Sequence, residues 1–192
     1  MRYPPEQNER TRAGIVAAAG QTFREKGYDG VGVDGLAAGA KLTVGGLYKH
    51  FGSKGVLFRE VVRVGMERLQ AGILQFQAQK AGDWLAALAD WYMGPGHRAD
   101  IGGGCAMPSL SPEVVKSDEE TRAVYEAGLL QAFDALMAEP PFRDAERGRE
   151  RAWASLALLA GGVALSRAVV DPALANEIAV AVKNAVQDGP AR

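Results

Sequence analysis

His97 and Cys105, the chain's single cysteine, lie eight positions apart. A thiol and an imidazole within hydrogen-bond reach can form a nucleophilic pair, so this spacing permits a thiol-dependent enzyme. The competing reading is a packed structural thiol. Ala106, Met107 and Leu110 follow it, and the flanking cations Arg98 and Lys116 stand seven and eleven residues away. One cysteine excludes an intramolecular disulfide. With only two histidines, His50 and His97, the ligands of a structural zinc site are also missing. No metal and no cofactor is expected. Gly30-Val-Gly-Val-Asp-Gly35 matches G-x-G-x-x-G, but a dinucleotide site needs a strand before these glycines. An amphipathic helical pattern precedes them instead, so they read as a turn between helices. No G-x-S-x-G elbow is present.

A different chemistry is written in Leu36-Ala-Ala-Gly-Ala-Lys-Leu-Thr-Val-Gly-Gly-Leu-Tyr-Lys-His-Phe51. It reads as helix, tight turn, helix. Ala37 or Ala40 supplies the small residue where two helices cross, Leu42 the apolar turn residue, and Leu47 the inner face of the second helix. Thr43, Val44, Gly46, Lys49 and His50 are then free to face a major groove, and Tyr48 can reach a phosphate. Lys54 adds a cation at the next helix N-terminus, where amides also favour phosphate.

The elements that must position these groups are helical throughout. Glu9 to Lys26 puts Ile15, Ala19, Thr22 and Phe23 on one face, and Gly27 stops it. Val33 to Ala40 is a short second helix, and a third, capped by Thr43, runs through His50. Ser53 can cap a long fourth helix towards Gln79, and Asp83 a fifth. Residues 94–104 carry five glycines in eleven positions and read as a mobile loop. A short helix from about Cys105, disturbed by Pro108 and Pro112, follows. Asp118 to Glu139 and Arg143 to Val170 are long helices, and Asp171-Pro172 opens a last one that ends near Gly189-Pro190. Period-two alternation is absent at useful length, so the fold class is all-α.

Residues 10–58 resemble the DNA-binding domain of TetR/AcrR-type transcriptional regulators. The likeness is carried above all by Phe23-Arg-Glu-Lys-Gly-Tyr-Asp-Gly30 and Leu42-Thr-Val-Gly-Gly-Leu-Tyr-Lys-His-Phe-Gly-Ser-Lys54. The resemblance implies a three-helix DNA-binding domain, placed at 1–53, continuous with a helical ligand-binding and dimerisation domain at 54–192. Matched position by position, Thr43, Gly45, Gly46, Tyr48, Lys49 and His50 fall on the recognition helix, and Lys54 on a phosphate-binding lysine. Two departures matter. Many members carry glycine where Lys41 stands, which implies a slightly different turn here. Many carry lysine where Val44 stands, and a valine can instead meet a thymine methyl.

Charge and the rest of the chain agree with this reading. Residues 1–65 hold ten Lys/Arg and six Asp/Glu, net +4, whereas residues 66–192 hold twelve and seventeen, net −5. A basic end on an acidic body suits a partner anion at one end only. The 15 uncharged residues from Ala152 to Ser166 are too few to span a bilayer, and the N-terminus lacks an apolar signal, so a cytoplasmic protein without membrane attachment is expected. Trp153, Leu156, Ala160 and Val163, with Leu174, Ile178 and Val182 of the last helix, are the candidate homodimer face. Met66, Trp84, Trp91, Tyr92, Cys105, Met107, Tyr125 and Phe133 are the candidate lining of a small-molecule cavity. No basic or acidic cluster in that region marks a ligand charge. The expected function is a homodimeric repressor on double-stranded operator DNA of palindromic sequence, released by a small apolar or aromatic effector. The alternatives are a ligand-independent or activating regulator, and a thiol enzyme using Cys105 and His97.

Overall fold

The computed structural model describes residues 5–143 and 145–188, and among these no strand occurs. The helices are α1 (Pro5–Lys26), α2 (Val33–Gly39), α3 (Val44–Phe51), α4 (Lys54–Lys80), α5 (Trp84–Tyr92), α6 (Pro95–Ala99), α7 (Ala106–Val115), α8 (Glu119–Met137), α9 (Gly148–Ala168) and α10 (Pro172–Asp188). None of them is long and apolar enough to cross a membrane.

Local chemistry sets most of the ends. Thr43 Oγ1 accepts the Gly46 amide at 3.1 Å, Ser53 Oγ that of Val56 at 3.1 Å, and Asp171 Oδ1 that of Ala173 at 2.8 Å. Cys105 stands at the N-cap of α7, and Asp118 at that of α8. Asp83, by contrast, makes no capping bond to α5. The chain enters that helix through a kink at Gly82, which leaves the carboxylate without the usual N-cap geometry.

Two other stretches differ from the sequence reading. Residues 94–104 are not an open loop. Pro95 starts α6, and the Arg167 guanidinium of α9 then gathers the carbonyls of His97, Arg98 and Asp100 at 2.9–3.1 Å. A long-range cation supplies the order that glycine alone would not. Similarly, α9 begins at Gly148 rather than near Arg143, because Phe142 is fully buried and its carbonyl closes onto Gly148, leaving no room for a side chain there. The expected end of the last helix at Gly189-Pro190 lies outside the described residues.

Two apolar cores result. One joins Ile15 and Phe23 of α1, Leu36 of α2, and Leu47 and Phe51 of α3 to Leu57, Phe58, Val61 and Val62 of α4 and Leu110 of α7. The other joins Ile73 of α4 to α5, α8, α9 and α10. The fourth helix runs unbroken through both, so the expected boundary at 53/54 coincides with its start while its first turns belong to the N-terminal core. Met66 of α4 packs against Gly128 of α8, and Ala106 of α7 against Gly65, at separations where an added Cβ would clash.

Helices α9 and α10 correct the expected dimer stripe. Leu156 and Val163 are buried inside the protomer, Trp153 stacks on Phe133 with ring centroids 4.3 Å apart, and Val182 packs over Gly162. The outward apolar stripe is instead Ala154, Leu158, Gly161 and Leu165, continued on α10 by Leu174, Ile178 and Ala181. Leu165 is 60% exposed.

Candidate nucleic-acid interface and adjoining cavity

Helix α3 is amphipathic by design of its spacing. Leu47 and Phe51, four apart, fill the N-terminal core. Thr43, Gly45, Tyr48 and Lys49 consequently lie on the exposed side, with Val44, Gly46 and His50 at its half-buried margins. The helix ends on Gly52, whose φ of 71° permits the amide to turn back to the Tyr48 carbonyl at 2.8 Å. In the turn before it, Lys41 holds φ 57°, the left-handed region that favours glycine. The turn therefore keeps the geometry glycine would give, and the expected change in shape at Lys41 is not found.

Two side chains that the sequence reading passed over brace this surface. The Arg12 guanidinium donates to the His50 carbonyl at 2.5 Å and covers the Phe51 ring at 4.1 Å. Tyr28 lies under the Lys54 ammonium, 4.1 Å from nitrogen to ring centroid, and packs with Phe23 and Phe58. Lys54 is thereby held at the start of α4, beside α3. The signal for Tyr28 was its place in Phe23–Gly30; for Arg12 there was none beyond its charge. Neither Tyr48 nor Lys49 hydrogen-bonds to another described residue, so their polar groups remain available to a partner.

The pair suspected of nucleophilic chemistry is arranged otherwise. His97 Nδ1 donates to the Tyr92 carbonyl at 2.7 Å, and Nε2 accepts the Cys105 amide at 3.2 Å. Both ring nitrogens are used by backbone, which fixes a neutral imidazole, and burial lowers its pKa further. Cys105 Sγ accepts the Met107 amide at 3.4 Å, and burial raises the thiol pKa. Among the described residues no histidine or carboxylate hydrogen-bonds the sulfur, and His97 is engaged by backbone instead.

Cys105 does line a cavity of about 120 Å³, with Trp91, Tyr92, Leu88 and Ile73. The rest of the expected lining lies elsewhere. Met66 and Phe133 are packed core, and Trp84 donates to the Pro140 carbonyl at 2.7 Å. Tyr125 shares a hydrogen bond with Ser111 at 2.6 Å, and Met107 reaches only a narrow apolar cleft next door. These side chains are large and apolar in a helical bundle, and such groups more often fill a core than line a void.

Comparison with known proteins bears on the N-terminal segment and on the fold. Residues 15–61, which span α1 to the first turns of α4, match the sequence model of bacterial regulatory proteins of the tetR family. That stretch of the chain is similar to the DNA-binding segment of this family. Solved structures share its fold across nearly the whole length. A TetR-family transcriptional regulator from Agrobacterium tumefaciens aligns with a TM-score of 0.78 at 19% identity, covering 92% of this chain and 97% of that one. The reduced form of NemR from E. coli gives 0.76 at 18% identity over 93% and 95%. A TetR-family regulator from Cytophaga hutchinsonii gives 0.75 at 18% identity over 100% of both. No curated protein matches the chain in sequence. The match and the shared fold support a DNA-binding transcriptional regulator, and both ring nitrogens of His97 are engaged by backbone rather than turned to the Cys105 sulfur.

Proposed function

We propose that this regulator acts in the cytoplasm as a homodimeric repressor, binding a palindromic operator and leaving it when a small molecule fills the protein. The observation that carries the reading is the outward face of α3: Thr43, Gly45, Tyr48 and Lys49 exposed on a helix pinned from behind by Leu47 and Phe51. In this reading residues 1–53 form the DNA-binding domain and 54–192 the effector and dimerisation domain. Thr43, Val44, Gly46 and His50 approach base edges, while Tyr48, Lys49 and Lys54 take phosphates.

The outward stripe of Leu158, Gly161 and Leu165, with Leu174 and Ile178, supports dimerisation. Such a continuous apolar band on two adjacent helices is what an isologous four-helix contact needs. A two-fold dimer then spaces two copies of α3 roughly 34–36 Å apart, one turn of B-DNA. The test is selection of bound sequences from random DNA, followed by sedimentation and band shifts with the recovered site. A palindrome bound by a dimer is expected, and L158E with L165E should give monomers of poor operator affinity. Recovery of no preferred sequence, or a wild-type monomer at micromolar concentration, contradicts the reading.

A further inference from the structure

The cavity at Cys105 carries a charge pattern that the sequence concealed. Its walls are apolar (Leu69, Ile73, Leu88 and Trp91), yet two guanidinium groups, Arg24 and Arg68, also line it and no carboxylate does. Arg24 comes from α1, in the N-terminal core, and Arg68 from the middle of α4. Arg24 Nε donates to the Gly102 carbonyl at 2.6 Å, and its terminal nitrogens donate to no other described residue. Arg68 has no ion-pair partner among the described residues. Glu25 and Asp100 lie near enough to favour the Arg24 charge, but Glu25 accepts from Gln21 and Asp100 from the Gly103 amide, and neither lines the cavity. Burial and the like charge of Arg68 both lower the Arg24 pKa. Two cations therefore line one void whose walls carry no carboxylate.

A second observation points to a ligand independently. The Tyr92 hydroxyl is buried in the same wall with no nitrogen or oxygen partner, and its polar neighbour is the Cys105 sulfur. A buried hydroxyl without a partner costs stability and is rare in native proteins. The thiol of Cys105 beside it is a weak acceptor. Arg24, Tyr92 and Cys105 all line this one cavity, so the guanidinium and the phenol face the same void.

We propose that this cavity binds a small organic monoanion, a carboxylate on one aromatic ring or a short acyl chain, through Arg24, Arg68 and the Tyr92 hydroxyl. Its apolar body lies against Trp91, Ile73 and Leu88. Trp91 is 53% exposed at the rim, where a planar ring can slide past it. The volume suits a single ring, since a dry cavity of roughly 150 Å³ accepts benzene. A charge-assisted bond from a preorganised guanidinium supplies orientation, and the apolar wall supplies most of the burial. This assignment rests on the ligand-responsive reading above and gives it a ligand class. It also gives the ligand a direct hold on α1, because an anion on Arg24 competes with the Gly102 carbonyl.

The test is calorimetric titration of the full chain, without DNA, with benzoate, phenylacetate and hexanoate, each against its primary amide. At least one acid should bind about tenfold more tightly than its amide, as expected for a charge-assisted bond. R68Q, an exposed position without a structural partner, should remove most of that preference, and R24Q all of it. Y92F should weaken the acid several-fold while leaving the melting temperature nearly unchanged or higher, because the lost hydroxyl had only the weakly accepting Cys105 sulfur beside it. If R24Q fails to fold, R68Q and Y92F still decide. Equal binding of every acid and its amide overturns the proposal, as does a preference that survives R68Q and Y92F. Because no DNA is present, failure here leaves operator binding untouched, and loss of operator binding would leave this titration unchanged.

Discussion

The outer face of α3 and the segment from Gly94 to Gly104 are both short and rich in glycine, yet they use their polar groups in opposite ways. On α3, Tyr48 and Lys49 point outward with no partner among the described residues, and only Thr43 is committed, to its own cap. In the other segment nearly everything is committed. Both nitrogens of His97 are taken, Asp100 accepts from Gly103, and three carbonyls converge on Arg167. A surface that must meet a polymer keeps its donors free, and its backbone is stiffened from behind by Arg12 and Gly52. A wall that must shape a cavity engages most of its polar groups internally. There the buried Tyr92 hydroxyl and Arg98 Nε stand out, neither with a nitrogen or oxygen partner.

Breaking the saturated side should have the largest effect. Arg167→Ala removes bonds to the His97, Arg98 and Asp100 carbonyls and to Ser109 Oγ at once. A loss of about 3 kcal/mol in urea unfolding is expected, since several partners are left half-buried and unsatisfied. The α3 surface lies outside this network, so non-specific DNA affinity of the folded variant should hold. An equal collapse of both would mean that the two regions are one structural unit.

The open side responds to the reverse experiment. Lys49→Ala combined with Lys54→Ala should lower the salt slope of DNA binding by about two units, one per phosphate contact. Stability should fall by about 1 kcal/mol or less, chiefly from the lost cation over Tyr28. Band shifts at several salt concentrations, beside urea melts, separate the two. Unchanged affinity would remove α3 from the interface.

This contrast also explains what could be read from the sequence. The third helix was legible because its determinants are local: Thr43 caps it, Leu47 and Phe51 are four apart, and Gly52 ends it. The cavity was not, because its cations come from α1 and α4, 44 positions apart, and no local composition brings Arg24 to Cys105. Arg167 was equally invisible as the organiser of residues 97–100. The dimer stripe failed for another reason. Helix α9 carries large apolar residues around most of its circumference, so a 3.6-residue period fits Leu156 and Val163 as well as Leu158 and Leu165. Only the neighbours decide which set faces inward.

A pH titration sharpens the saturated side further. Burial lowers the folded-state pKa of His97 below the usual 6.5. As pH falls through about 6.5 the unfolded chain takes up a proton that the folded chain refuses, so stability is full above that pH and declines below it. The slope can reach about 1.4 kcal/mol per pH unit until the folded imidazole itself protonates. Asp118, held low by its hydrogen bonds with Thr121 and then by Arg59, and Glu60, held low by Arg63, contribute in the same direction. Their window begins only near the ordinary carboxylate range, about pH 4. Urea midpoints between pH 7.5 and 5 should therefore fall in wild type and flatten in His97→Asn. A flat wild-type profile would show that His97 is free to protonate in place.

The smallest expected effect concerns the turn that presents α3. Lys41 sits at φ 57° while its amide reaches the Ala38 carbonyl at 3.0 Å and that of Leu42 reaches Ala37 at 2.8 Å. A non-glycine residue in the left-handed region costs about 1–2 kcal/mol. Glycine relieves that cost but adds about 0.5–1 kcal/mol of unfolded-state entropy. Lys41→Gly should thus stabilise the protein by up to about 1 kcal/mol, a rise of a few degrees in melting temperature at this chain length. Because the turn already has the shape glycine prefers, the selected operator sequence should not change. Lys41→Asn separates strain from charge, since asparagine tolerates the same backbone without the ammonium. If Lys41→Gly destabilises, or alters sequence preference, the lysine is holding α3 by a contact to DNA or to its own helix rather than merely bearing the strain of the turn.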